Sequence, residues 1–344
     1  MAVPGDRFRA LLAGPVVVAP MAGGPSTPEL VVAAAGAGAL GFLAAGYKSA
    51  GAMQAEIDTV RAATGEPFGV NVFVPGAPAG DPAAVSAYLS SLSADAAAVG
   101  TELGEARWDD DDWGAKVDVL VAAPPPVVSF TFGCPPAGVV SALRGGGAVV
   151  GVTVTHPVEA GLAEETGVDF LSVQGPEAGA HRGTFVNDVR RGAERDLFDL
   201  LRAVASVSAL PLLAAGGIMG PEAARAAQAA GAVAVQCGTA FLRCPESGAH
   251  PVYKAALADP RFTDTTVTRA FSGRPARGLV NAFVRAHRDA PPAYPEVNNA
   301  TRPLRAAAAA AGDAERMSLW AGQGCRHARD APAADVVAHL RGAP

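Results

Sequence analysis

The sequence predicts an α/β fold, a (β/α)8 TIM barrel that carries a helical cap. Short runs rich in Val, Leu or Phe alternate with Ala-rich stretches long enough to be crossover helices. The runs are continuously apolar, as expected of parallel strands that are buried on both faces. Eight strands are predicted, at Val16–Ala19, Leu40–Ala44, Phe68–Val74, Val127–Phe132, Val149–Val154, Phe170–Gln174, Leu212–Ala215 and Ala232–Gln236. Eight such units favour a closed barrel over an open sheet.

Helix starts between the strands support this count. Proline or an acidic residue occupies the first turn of the predicted helices at Thr27-Pro28-Glu29, His156-Pro157 and Gly220-Pro221-Glu222. Proline is favoured there because its missing N–H has no acceptor in a first turn. The helices are therefore well delimited.

Two segments do not fit the repeat. The stretch from Pro75 to Val119 is longer than one crossover needs, and a second stretch, helical but irregular, runs from Phe241 to about Gly324. Both are expected to pack over the barrel mouth. We predict that residues 1–75, 115–240 and 318–344 form the barrel, and that residues 76–114 and 241–317 form the cap and substrate-binding region.

Composition excludes several classes of protein. Half of the 344 residues are hydrophobic and 17% are charged, which indicates a compact chain, and a formal charge of -6 argues against nucleic-acid binding. No leader segment or membrane-spanning run is evident, so a cytoplasmic protein is expected, a monomer or a homodimer. We interpret the acidic run Asp109–Asp112 as a solvated loop tip. Reduced core thiols are expected at Cys134, Cys237, Cys244 and Cys325.

Glycine-rich turns follow the last two predicted strands, at Gly216-Gly217 and at Gly238-Thr239. In a TIM barrel these two loops commonly bind a phosphate, because bare backbone N–H groups can approach it closely. A tight turn is the alternative interpretation of Gly216-Gly217 taken alone. The two turns together favour a phosphate cup.

Three amide side chains lie at or near strand ends: Asn71, Gln174 and Gln236. They suit the edge of an isoalloxazine, which needs hydrogen-bond donors and acceptors, and so they suggest flavin mononucleotide (FMN). Core amides bonded to backbone are the competing interpretation. A Rossmann-bound dinucleotide is not expected, because no GxGxxG follows an early strand.

His181 is the best catalytic candidate, since it is the one histidine in a glycine-lined loop at a strand end. The alternative is a histidine that only braces the loop. His156 is expected to cap a helix. The other histidines are expected in polar, surface-like surroundings and suggest no metal site: His250, His287, His327 and His339.

Three motifs carry a resemblance to a family: Ala19-Pro20-Met21-Ala22-Gly23, Gln174-Gly175 through His181-Arg182-Gly183, and Gln236-Cys237-Gly238-Thr239. With Tyr294-Pro295, Thr301–Arg305 and Met317–Gly324, they resemble the bacterial class I nitronate monooxygenases, once called 2-nitropropane dioxygenases. The resemblance covers nearly the whole chain.

The resemblance implies FMN-dependent oxidation of alkyl nitronates, such as propionate 3-nitronate, by dioxygen without NAD(P)H, giving a carbonyl product and nitrite or nitrate. It implies that His181 faces the reactive edge of the flavin and that Tyr294 and Arg302 dock the anion. The residues expected to hold FMN are Pro20, Met21, Ala22, Asn71, Gln174, Gly179, Gly216, Gly217, Gln236, Cys237, Gly238 and Thr239.

The sequence departs from the family pattern in two places. An additional glycine gives Gly23-Gly24-Pro25, and the glutamine often found two residues before the Pro-Met pair is absent. Asn298-Asn299 and Arg302 stand where relatives tend to have histidine and lysine. Arginine keeps the positive charge of lysine but changes its reach and hydrogen-bond geometry, which bears on the choice of substrate.

Other functions remain open. A flavin- and NADH-dependent enoyl-ACP reductase resembles this chain in its phosphate cup and EAGxH-like loop, although Arg182 and the stretch Ser318–Gly322 are more typical of the monooxygenases. A non-catalytic FMN-binding barrel is a second alternative. A dehydrogenase of the inosinate type needs a nucleophilic cysteine in a mobile loop. Cys134 is the only candidate, and the adjoining Pro135-Pro136 indicates a rigid loop, which argues against this function.

Overall fold

A computed structural model describes residues 5–187 and 195–342 of the chain. Eight parallel strands close into a barrel in the order β1-β2-β3-β4-β5-β6-β8-β9, with β1 pairing β9. These strands are β1 Val16–Val18, β2 Leu40–Ala44, β3 Phe68–Phe73, β4 Val127–Thr131, β5 Val149–Val154, β6 Phe170–Gln174, β8 Leu212–Ala215 and β9 Ala232–Cys237. The predicted (β/α)8 barrel is confirmed. Four of the eight strands have the predicted ends, and the other four differ by one residue.

Helices follow the strands around the barrel. The described residues form α1 Asp6–Ala10, α2 Pro28–Gly36, α3 Ala50–Ala63, α4 Pro82–Ser91, α5 Ser93–Ala98, α6 Trp113–Ala122, α7 Ala137–Gly145, α8 Pro157–Glu165, α9 Leu197–Ala205, α10 Pro221–Ala229, α11 Pro251–Ala256, α12 Ala282–Ala286, α13 Glu296–Ala310 and α14 Ala333–Arg341. Short 3-10 turns lie at Thr239–Phe241, Ala314–Arg316 and Cys325–His327. The carboxyl-terminal α14 packs against α2, α10 and β1, and thereby completes the outer ring of helices.

The predicted helix starts are present. Thr27 accepts a hydrogen bond from the N–H of Leu30 at 3.1 Å, and proline occupies the first turn of α2, α8 and α10. His156 caps α8 as expected, because its Nδ1 accepts from the N–H of Val158 at 3.2 Å. These contacts satisfy donors that a helix amino terminus otherwise leaves unpaired.

Aromatic rings fill one end of the barrel. The ring of Phe8, from α1, stacks on that of Phe170 with centroids 4.0 Å apart. Glycines make room for these rings: a Cβ at Gly151 would lie 2.3 Å from Phe170, and one at Gly69 would lie 2.2 Å from Phe42. The carboxyl-terminal end of the barrel is left for a binding site.

The cap joins the two segments predicted to form it. Buried residues of α4 and α5 pack against the carboxyl-terminal segment, through Tyr88 and Leu92 on one side and Phe271, Phe283 and Leu304 on the other. The domain boundaries proposed from the sequence take in residues 1–4, 188–194 and 343–344, which lie outside the described residues.

A three-stranded antiparallel sheet that joins the loop after β6 to the cap was missed by the sequence analysis. Its strands are β7 Ala180–His181, β10 Thr265–Thr268 and β11 Ala276–Leu279, in the order β10-β11-β7. The register pairs Ala276 with His181 and Arg277 with Ala180. The loop after β6 is therefore held against the cap by backbone hydrogen bonds.

The prediction for His287 was wrong. Its side chain is only 9% exposed, its ring lies 4.4 Å from that of Phe283, and its Nε2 lies 2.8 Å from a carboxylate oxygen of Asp95. Since Asp95 belongs to the other cap segment, His287 joins the two halves of the cap. Sequence spacing gave no signal for this contact between residues 192 positions apart.

All four cysteines are free, and Cys134 is half-buried while the other three are buried, in agreement with the predicted reduced thiols. No cluster of potential metal ligands occurs in residues 5–187 and 195–342. Within those same ranges, no helix is both long and apolar enough to cross a bilayer.

Candidate active site

A cavity of about 580 Å³ opens at the carboxyl-terminal ends of the barrel strands. The structure brings nearly all of the residues predicted for the site to its wall: Pro20, Met21, Ala22, Asn71, Gln174, Gly179, His181, Gly216, Gly217, Gln236, Cys237, Gly238, Thr239 and Arg302. Tyr294 is the exception, since it does not line the cavity, but its hydroxyl donates to that of the lining residue Tyr47 at 3.3 Å. Gly217 and Thr239, which follow neighbouring strands, thus share one cavity.

The predicted phosphate cup has a wall of bare backbone. Gly216 and Gly217 have φ of +130° and +67°, backbone conformations that residues other than glycine rarely adopt. A Cβ at Gly216 would lie 3.0 Å from the backbone nitrogen of Ala178. The cavity therefore depends on glycine at this turn for both its conformation and its width.

The three predicted amides are anchored within the protein. Asn71 donates to the hydroxyls of Ser129 and Thr131 at 2.9 and 3.0 Å, and Ser172 donates to the Oε1 of Gln236. The Nε2 of Gln174 donates to the carbonyl of His181 at 2.9 Å, and its Oε1 accepts from the N–H of Gly183 at 2.8 Å. Gln174 therefore matches the competing interpretation of the sequence, a core amide bonded to backbone. Its two hydrogen bonds hold the loop that carries His181 in place.

Residues with positive φ other than glycine cluster at this cavity. Tyr47, Phe132 and Ala180 line it with φ of +69°, +79° and +63°. Such conformations are costly and persist only where the surrounding contacts impose them. The backbone just after β2, just after β4 and at the start of β7 is therefore held by tertiary contacts at the cavity and not by local conformational preference.

The acidic run supplies contacts that hold this part of the wall. Asp110 and Asp112 are exposed, as expected of a solvated loop tip, but that interpretation was wrong for Asp111. The carboxylates of Asp111 and Asp112 accept from the N–H groups of Tyr47 and Ala50 at 2.8 and 2.7 Å. Lys116, whose side chain is 0% exposed, forms an ion pair with Asp111 at 2.8 Å. Burial raises the pKa of Asp111, and its contacts with Lys116 oppose that rise.

Replacing Asp111 with alanine is expected to lower the free energy of unfolding by about 3–5 kcal/mol, because a buried lysine would lose its partner. Urea unfolding at neutral pH measures the change. The matched control is Asp118→Ala, an exposed acid on the same helix as Lys116. A loss no larger than that of the control would show that the Lys116 ammonium does not need this carboxylate.

His181 lies among aromatic rings. Those of Phe132, Tyr294 and Trp320 have centroids 5.9, 5.7 and 5.5 Å from the imidazole. The Nε2 of His181 lies 2.8 Å from the hydroxyl oxygen of Ser272. Burial, with smaller contributions from two arginines, lowers the pKa of His181 to about 3. The imidazole is therefore neutral near pH 7, as a hydrogen-bond acceptor or a base must be.

The two arginines were missed by the sequence analysis. Arg274 places its guanidinium 3.9 Å above the ring of Phe132, and Arg305 lines the cavity, donating to the carbonyl of Asn298 at 2.8 Å. Burial lowers the pKa of each to about 10, so both remain charged at neutral pH. Arg305 follows the predicted Arg302 by three residues on α13, and this spacing could have indicated it. Arg274 could not be predicted in this way, because it belongs to the cap and approaches His181 only in the folded chain.

Arg302 lines the cavity with an exposed side chain, while Arg305 is the more buried of the pair. Among the ion pairs found in residues 5–187 and 195–342, none places a carboxylate within 4.0 Å of the Arg274 or Arg305 guanidinium. The inner part of the site therefore has an excess of positive charge.

A family model for nitronate monooxygenases matches residues 7–342. The chain belongs to the nitronate monooxygenase family. A nitronate monooxygenase of Pseudomonas aeruginosa is 42% identical over 345 residues, which cover 97% of this chain and 98% of that protein.

Solved structures of similar proteins share the fold over nearly the whole chain. A nitroalkane oxidase from Streptomyces ansochromogenes is 49% identical with a TM-score of 0.95, covering 98% of this chain and 97% of the other. FabK from Thermotoga maritima is 28% identical with a TM-score of 0.71, covering 97% and 94%. Members of the nitronate monooxygenase family are oxidoreductases and are in general flavin-dependent.

Proposed function

We propose that this protein oxidises alkyl nitronates with dioxygen by means of bound FMN, giving a carbonyl product and nitrite or nitrate. The proposal rests on the positive charge around His181. The buried guanidinium of Arg274 and the half-buried one of Arg305 both lie close enough to the neutral imidazole of His181 to lower its pKa, and Arg305 lines the cavity together with the more exposed Arg302. A small anion is the ligand that such a site favours.

The described residues fit a flavin. The cavity volume of about 580 Å³ lies in the range of small-molecule and cofactor sites. The glycine turns at 216–217 and 238–239 offer backbone N–H groups to a phosphate, and α10 begins shortly after the first turn, so that its amino terminus adds partial positive charge. FMN would take electrons from the substrate and pass them to dioxygen.

Arg274 and Arg305 are held in place by carbonyl groups. Arg274 donates to the carbonyls of Thr184 and Arg182, and Arg305 donates to the backbone and side-chain oxygens of Asn298 at 2.8 and 3.0 Å. A charge fixed in this way needs little reorganisation when an anion arrives. The Nε of Arg305 is buried and has no acceptor among the described residues, so it can donate to a ligand.

His181 supplies a neutral polar group in an otherwise aromatic wall. Its neutral state matters because a protonated imidazole would bind the anionic substrate tightly and could not accept a proton or hydrogen bond. Phe132 and Trp320 line the cavity around it and exclude water from this part of the site. Tyr47, backed by Tyr294, offers a hydroxyl whose pKa is raised by burial, so it stays protonated.

The test compares two reductants under anaerobic conditions. The purified yellow protein is mixed with propionate 3-nitronate or with NADH, and the flavin absorbance is followed. We expect the nitronate to bleach the flavin and NADH to leave it oxidised. Bleaching by NADH alone would replace the proposal with a reductase, and inertness to both would leave a non-catalytic flavin-binding barrel. Chromatography of the released cofactor against FMN and FAD standards tests the choice of FMN.

A further inference from the structure

The hydroxyl of Ser272 lies between the imidazole of His181 and the backbone of Arg274. It is 2.8 Å from the Nε2 of His181, 3.1 Å from the carbonyl oxygen of Arg274 and 3.3 Å from the Arg274 nitrogen. Ser272 is 0% exposed. The single hydroxyl proton of Ser272 must therefore go either to the Arg274 carbonyl or to the His181 Nε2, and bulk water cannot substitute for either partner.

The proton assignments follow from what each neighbour can do. The Arg274 N–H can only donate, so it takes one lone pair of the Ser272 oxygen. The Arg274 carbonyl can only accept, and within residues 5–187 and 195–342 Ser272 is the one group that donates to it. Because an unpaired buried carbonyl is costly, the single hydroxyl proton of Ser272 belongs on that bond. The Nε2 of His181 must then be the donor to Ser272.

We infer that Ser272 is a positioning residue that holds His181 as its Nε2–H tautomer and leaves the bare Nδ1 as the ring nitrogen available to a ligand in the cavity. Which nitrogen of a histidine carries the proton is set by the partner of the other nitrogen. No partner of Nδ1 is found in the described part of the chain. The inference rests on the proposed function only for the ligand that Nδ1 meets.

The local sequence makes Ser272 rigid. The N–H groups of Ser272 and Gly273 both donate to the carbonyl of Arg269, at 3.0 and 2.8 Å, in a tight turn. Gly273 has φ of +74°, and a Cβ there would lie 2.2 Å from the carbonyl oxygen of Ala293. Thr301 donates to the carbonyl of Phe271 at 2.5 Å and fastens the turn to α13. The backbone of Ser272 is thus fixed, and its hydroxyl oxygen is one rotatable bond away from it.

The other end of the contact is also fixed by backbone. His181 pairs with Ala276 in the sheet of β7 and β11, and the N–H of Arg182 donates to the carbonyl of Pro275 at 2.8 Å. Ser272 and His181 are therefore on two segments that backbone hydrogen bonds join a few residues beyond Ser272. Removing the hydroxyl should change the hydrogen bond of the imidazole without releasing the loop.

Nuclear magnetic resonance of protein with ¹⁵N-labelled histidine tests the inference, with the His181 signals assigned by their loss in His181→Asn. In the unsubstituted protein we expect a proton on Nε2, protected from exchange with water, and a bare Nδ1. In Ser272→Ala the protected Nε2 proton should shift and exchange faster. The matched control is Ser208→Ala, which removes another buried hydroxyl that accepts from an N–H two residues on, at the opposite end of the barrel.

Two spectroscopic results would overturn the inference: a proton on Nδ1 in the unsubstituted protein, or an Nε2 proton that is unchanged in Ser272→Ala. For turnover of propionate 3-nitronate, we expect kcat of Ser272→Ala to fall about tenfold with KM little changed, as when one orienting hydrogen bond is lost. An unchanged kcat would remove the positioning role. Failure of the proposed function would appear separately, as the predicted tautomer in a protein that does not oxidise nitronates.

Discussion

Replacement of Gly179 with alanine is expected to give a folded protein that has lost most of its flavin. A Cβ at this position would lie 2.6 Å from the backbone carbon of Ala321 and 2.6 Å from the backbone nitrogen of Gly322. Gly322 in turn donates to the hydroxyl of Thr239 at 3.0 Å, and Gln323 donates to the carbonyl of Glu177. Three loops of the cavity wall therefore meet at Gly179, and backbone cannot move aside as a side chain can.

Overpacking of this kind costs about 1–3 kcal/mol, which corresponds to a loss of FMN affinity of about 5- to 150-fold if the strain is relieved when the loops separate. Flavin absorbance per protein chain measures the effect, and circular dichroism monitors the fold. The control is Gly138→Ala, at an exposed helical glycine where an added Cβ meets nothing within 4 Å. Full flavin content in Gly179→Ala would show that these loops do not form the cofactor wall.

The His181→Asn protein is expected to keep its flavin and to oxidise nitronates about 100-fold more slowly or worse. A factor of about 100 is the lower end of the effect expected when a positioned acid–base group is lost. Asparagine retains a polar side chain near Ser272 but has no ring nitrogen to face the cavity. Turnover of propionate 3-nitronate and flavin content are measured on the same sample. Colourless protein would mean that His181 is structural, and unchanged turnover would exclude it from the reaction.

The same substitution should alter the dependence of stability on pH. His181 titrates near 6.5 when unfolded, whereas burial lowers its pKa to about 3 in the folded chain. Between these values the unfolded state binds the proton and the folded state does not, so His181 destabilises the fold progressively as pH falls from about 6.5 to about 3. His181→Asn removes this contribution. Its melting temperature should therefore fall less than that of the unsubstituted protein as pH decreases through this window.

The barrel was predictable because its signal is local. Each strand is an apolar run of three to six residues in the structure, bounded by Gly or Pro, and each begins and ends within one residue of its predicted place. Closure then follows from the number of units and brings the loops after β8 and β9 together. This is why Gly217 and Thr239, 22 positions apart, could be assigned to one cavity before the structure was known.

The contacts that define the chemistry of the site are non-local. Ser272 meets His181 across 91 positions, and Tyr294 meets Tyr47 across 247. The short strands β7 and β11 carry no apolar alternation that would predict a pairing. The ion pair of Lys116 with Asp111 also had no signal, because an acidic run is most often solvated.

The order of βα units, the glycine turns and the place of His181 at a strand end are determined by the sequence alone, since periodicity and backbone conformation are properties of neighbouring residues. The tertiary structure decided which ring nitrogen of His181 is engaged, that Arg274 and Arg305 supply positive charge near it, and that the Tyr294 hydroxyl donates to that of Tyr47. These properties depend on the cap, where segments far apart in the chain exclude water together. Burial and electrostatic contact exist only once that packing has formed.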